Sequence, residues 1–95
     1  MTADELRRVV EQRCGAKAAL SYVAPVRHQF GDVVWEGSVH VFELDGHKTV
    51  PHAYAWSTGF GSNVRTFVVL HGGGILGPAH AVRAVLMGEA DTPRF

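Results

Sequence analysis

His71-Gly72-Gly73-Gly74-Ile75-Leu76-Gly77 joins an imidazole to a run of backbone N–H groups that no side chain shields. The apolar run Val68-Val69-Leu70 precedes it and Pro78 follows, so the bare amides fall between a strand and the start of a helix. Donors in that place, helped by the helix dipole, stabilise a carboxylate, a phosphate or the enolate of a bound substrate. With His71 and His80 as base and electrophile, the Gly72, Gly73 and Gly74 amides would form an oxyanion hole for a small hydrolase or isomerase. The chain has 6 histidines, and His52, His71 and His80 fall toward one end of the expected sheet. Three imidazoles can hold zinc with one position open, but no H-E-x-x-H or comparable spacing is present, so neither a metal nor another cofactor is expected. Glycines here also have a purely structural use, letting the chain leave a sheet and pass close to a helix.

Two longer motifs share these residues. His71-Gly72-Gly73-Gly74 resembles the HGGG oxyanion motif of esterases similar to hormone-sensitive lipase. In that fold the loop serves a serine on a G-x-S-x-G elbow further along the chain. Only a helix and a tail follow here, and Ser21, Ser38, Ser57 and Ser62 all lack the elbow pattern, so an α/β-hydrolase is not expected. Gly72 to Gly77 also matches G-x-G-x-x-G, but a dinucleotide fingerprint needs a following parallel strand ending in an acid, and no strand carries Asp91.

The elements that position these residues are legible from spacing. Thr2 and Glu5 form a capping box, Leu6, Val9 and Val10 recur at helical spacing to about Arg13, and Gly15 is the stop. Leu20, Tyr22, Val26 and Phe30 share one parity in an extended segment that Pro25 confines to an edge or a bulge. Gly31-Asp32 turns the chain into Val33–Leu44, where Trp35, Val39 and Val41 lie on one face. Asp45-Gly46 signals a hairpin to a strand over residues 52–57, and a polar loop over 58–63 leads to the last strand, 65–71. Pro78 opens a final helix with the stripe Ala81, Val82, Val85 and Leu86, ending near Gly88.

This order predicts an α+β fold, a two-layer sandwich of helix, four-stranded antiparallel meander and helix. Residues 1–88 form the single domain and 89–95 a C-terminal tail. With both helices on one face, Phe42, Leu44, Tyr54, Trp56 and Phe67–Leu70 leave apolar bulk on the other, which predicts a homodimer or a ligand there. His52, Tyr54 and Trp56, with Gly72, Gly73, Gly74 and Gly77, are the expected ligand contacts. The strand aromatics could stack nucleobases, but no row of Arg or Lys accompanies them, and packing accounts for them better.

Composition narrows the rest. Lys and Arg number 9 and Asp and Glu 9, so no net field draws the chain to a polyanion or an anionic membrane, and neither nucleic acid nor a membrane is expected as partner. Lone Cys14 forms no internal disulfide, and the charged N-terminal segment is unlike a signal peptide, which together point to the cytoplasm. Trp35–His47, Ala53–Trp56 and Ala81–Val85 resemble short stand-alone bacterial proteins of unknown function. That resemblance carries no activity and does not include the glycine run. The reading that results is a non-catalytic binding module, homodimeric, taking a small anion at the glycine loop, with the small histidine enzyme as its alternative.

Overall fold

The computed structural model describes residues 2–30, 32–46, 51–58, 64–72 and 75–86. Helix α1 (Ala3–Cys14) is followed by strands β1 (Lys17–Phe30), β2 (Val33–Asp45), β3 (His52–Thr58) and β4 (Arg65–Leu70), then by helix α2 (Pro78–Leu86). The strands pair antiparallel in the order β1-β2-β3-β4, so the α+β helix, meander, helix arrangement read from the sequence is the one found. Gly73, Gly74, Gly88 and the expected 89–95 tail lie outside the described residues.

α1 begins where its sequence requires. The Thr2 hydroxyl accepts from the Glu5 N–H at 3.2 Å while the Glu5 carboxylate accepts from the Thr2 N–H at 3.3 Å, so two orphan donors are satisfied reciprocally. It ends at Gly15, whose φ of 66° lies in the left-handed region and whose N–H donates to the Glu11 carbonyl.

β1 is an edge strand, as Pro25 implies, but its residues do not share one face. Leu20 pairs with Phe42 and Tyr22 with Val41, the register shifting between them. That bulge at Ser21 inverts the alternation, so Leu20 sits on the α1 side of the sheet and Tyr22 and Val26 on the other.

The expectation that both helices pack on one face is corrected. On β3, Ala53 and Ala55 belong to a core with Leu6 and Val10 of α1, whereas the alternating Tyr54 and Trp56 belong to a core with Ala81 and Val82 of α2. Adjacent strand residues point to opposite faces, so the helices lie on opposite sides and the domain has three layers. Residues 53–56 are all buried, which is what a central strand covered on both faces shows. α1 crosses all four strands, while α2 rests mainly on β1. No described helix is long and apolar enough to cross a membrane.

Candidate binding cleft

Alternation sets up one cluster on the α2 side, at the end of the β3–β4 hairpin farthest from the glycine run. Trp56 pairs with Phe67 and Thr58 with Arg65, two cross-strand pairs that share a face. The Trp56 and Phe67 rings stack with centroids 5.5 Å apart and planes 22° from parallel. Trp35 of β2 meets Trp56 edge-on, with centroids 6.0 Å apart. Val82, Val85 and Leu86 of α2 form the opposite wall, and together these residues enclose a cleft of about 200 Å³. Arg65 is the one charged residue among the described residues that line it. It is exposed, with no ion pair or hydrogen bond to another described residue. A second, shallower depression of about 340 Å³ lies over β1 and β2. Its two charges, Arg27 and Glu36, already face each other at 3.5 Å.

The histidines gather at the other end of the hairpin. The His71 N–H donates to the His52 carbonyl, and their rings lie edge to face with centroids 5.7 Å apart. Tyr54 Oη lies 2.7 Å from His71 Nδ1. Burial pushes the Tyr54 hydroxyl above its usual pKa of 10.0, and the nearby Tyr22 adds to that. The hydroxyl therefore keeps its proton and can either donate to Nδ1 or accept from it. Of the three histidines that spacing drew to one end, His80 does not join. Its Nδ1 accepts from the Leu76 N–H at 3.3 Å within the turn into α2, and no hydrogen bond or ring contact links it to His71.

The glycine run is partly spent on itself. The Gly72 N–H donates to the Ile75 carbonyl at 2.8 Å, and the Ile75 N–H donates back to Gly72 at 3.1 Å. Gly72 has φ 113°, a backbone shape that side chains disfavour, so the glycine serves this tight bridge. Its amide is not free to bind an oxyanion. The Gly77 carbonyl accepts from the Ala81 N–H, as a residue preceding a helix does. Among the described residues no group of three or more His, Cys, Asp or Glu is arranged to hold a metal ion.

Of the residues singled out by sequence, only Trp56 lines the cleft, while His52, Tyr54 and His71 form the separate cluster. Trp35, Thr58, Arg65 and Phe67 were missed as site residues. The signal for three of them was present in the cross-strand pairing of Trp56 with Phe67 and of Thr58 with Arg65. Trp35 had none, because β2 pairs with β3 only from His40 to Glu43 and Trp35 reaches Trp56 through the twist of the sheet. Cys14 is half-buried, and burial raises its thiol pKa against the pull of Arg13, which leaves it a poor nucleophile. No protein-family model matches the chain, and neither a curated protein nor a solved structure matches it.

Proposed function

We propose that the protein is a non-catalytic binding module whose site is the cleft between α2 and the outer end of the β3–β4 hairpin. The observation that carries this is the convergence, on one cavity, of three aromatic rings and a guanidinium that has no ion pair among the described residues. An apolar concavity with few convergent polar groups is the usual form of a small-ligand site. Both tryptophans of the chain line it, so their two indole N–H resonances report on it alone. Titration with indole, benzyl alcohol and phenylacetate is expected to move these two resonances first. Shifts confined to the His52 and His71 end would reject the assignment.

The module is proposed to act as a homodimer, on a smaller basis than an open sheet face. Its support is the exposed apolar side chains of edge strand β1, Leu20 and Val23 on the α1 side and Tyr22 on the other, which are 44%, 44% and 51% exposed. Light scattering on the eluted protein is expected to give twice the chain mass, and a monomer at all concentrations rejects the dimer.

A small hydrolytic or isomerising enzyme is the second reading, favoured by the Tyr54–His71 hydrogen bond. Its base would be His71 Nε2, with Nδ1–H held by Tyr54 as orienting partner, and His80 plays no part in that geometry.

A further inference from the structure

We propose that the cleft takes a small amphipathic carboxylate, an aryl or short branched alkyl acid, with its apolar body among the rings and its carboxylate on Arg65. The inference rests on the cleft being the binding site, and adds the chemical class of what enters.

Three observations carry it. The described walls are Trp35, Trp56, Phe67, Val82, Val85 and Leu86, so the body of a ligand meets mainly aromatic and aliphatic side chains. At the rim, Arg65 and Thr58 are directly opposed on neighbouring strands and share the Trp56 face, so guanidinium and hydroxyl sit together at one mouth. A guanidinium presents two parallel N–H donors that match a carboxylate in one plane, and a threonine hydroxyl can donate to the same group. Arg65 has no acidic partner among the described residues, so a bound acid would replace water rather than an existing ion pair.

Size and charge limit the class. A volume of about 200 Å³ is below the range of about 300 to 1,000 Å³ found for drug-sized ligands, and suits one ring or a short branched chain. A phosphate dianion calls for several converging donors, and among the described residues no second cation lines this cavity. A neutral hydrocarbon would leave the guanidinium unused, so the charged end is what separates ligands.

The test is a pair of titrations followed by amide and indole resonances, phenylacetate against phenylacetamide and 4-methylpentanoate against its amide. Each acid is expected to saturate shifts at Trp35, Trp56 and Arg65 and to bind at least about tenfold more tightly than its amide, weakening as salt rises. Arg65→Gln is expected to lose about tenfold in affinity for the acids and to leave the amides unchanged. Arg65→Lys should fall between the two, because it keeps the charge without the planar fork. Equal binding of acid and amide, or undiminished acid binding by Arg65→Gln with its fold intact, overturns the carboxylate inference and leaves the cleft as a site for neutral ligands. If no acid, amide, indole or benzyl alcohol perturbs the two tryptophans, the cleft is not the site and both proposals fall. Should Arg65→Gln fail to fold, Arg65→Lys with the salt dependence decides the same question.

Discussion

The ring of Trp35 lies over Gly37, the residue two positions on along the same strand. A methyl group at Gly37 would come within 3.0 Å of the ring's far edge. Both residues face the α2 side, and only the missing side chain at 37 lets the indole lie along β2 toward Trp56. Gly37→Ala therefore pushes the ring by a few tenths of an ångström into the cleft. Unfolding free energy should change by less than about 1 kcal/mol, since alanine gains in strand propensity what the crowding costs. The Trp35 indole resonance should move and the affinity of aryl probes should drop severalfold. An unmoved resonance together with unchanged affinity would show that Trp35 does not shape the site.

Because the helices cover opposite faces, each face has its own large anchor. Trp56 is 2% exposed on the α2 side and Phe42 is 0% exposed on the α1 side. Truncating either to alanine should cost about 3 to 5 kcal/mol, a large share of the roughly 5 to 15 kcal/mol that a domain of this kind possesses. Urea unfolding of the two single variants measures it. A mild loss for Phe42→Ala, well under about 2 kcal/mol, would indicate that the α1 face is open after all.

The sequence carried more of this layout than bulk alone suggests. Thr2, Glu5 and Gly15 fixed the limits of α1 because capping is a local matter of a few adjacent groups. The antiparallel meander followed from short connections in the same way, whereas its sheet order is fixed only by the pairing seen in the structure. The side taken by each helix depends instead on long-range packing, but a trace of it exists on β3. Ala53 and Ala55 alternate with Tyr54 and Trp56, and all four are buried. Small residues on one face leave room for a helix to approach closely, and large ones on the other fill the wider gap under α2. Reading the face as bulk to be hidden, rather than as space to be filled, led to a bare sheet that does not exist. The bulge at Ser21 has no comparable trace, because nothing in Leu20-Ser21-Tyr22 demands an extra residue there. In the site, the meeting of His52 and His71 was legible from register, whereas Gly72's use of its own amide depends on how the loop closes on Ile75.

His40 gives the fold a dependence on acidity. It projects from β2 onto the α1 side, stacked beside Phe42 with centroids 6.3 Å apart, and its Nδ1 is buried without a hydrogen-bond partner among the described residues. Burial lowers its pKa below the ordinary 6.5. Above 6.5 the histidine is neutral whether the chain is folded or not. As pH falls below that value the unfolded chain takes up a proton that the native state refuses, so stability declines until the pH drops through the folded value. His40→Leu removes this contribution. Unfolding measured from about pH 7 to about pH 5 should show a shallower loss in the variant than in the parent. Near pH 7 the variant should be as stable or up to about 1 kcal/mol more stable, since an unpaired buried nitrogen is gone. Parallel pH profiles would dismiss His40 as the source.

Tyr54 decides between the two functional readings through the proton on His71. A hydroxyl that keeps its proton can donate to Nδ1 or accept from Nδ1–H, and where it donates, a neutral imidazole carries its hydrogen on Nε2. In that tautomer Nε2 is a donor and has no lone pair with which to act as a base. The enzyme reading needs the reverse arrangement, with Nδ1–H donating to Tyr54 Oη. On the binding reading, long-range proton–nitrogen spectra of the histidine rings should show an unprotonated Nδ1 and a protonated Nε2 at His71 in the parent protein. In Tyr54→Phe the preference should relax to a mixture, with about 1 to 2 kcal/mol of stability lost as a half-buried acceptor is left to water. A protonated Nδ1 in the parent, abolished by Tyr54→Phe, would instead mean that the tyrosine holds His71 ready as a base, and the weight would shift from ligand binding at the cleft to chemistry at the opposite end of the hairpin.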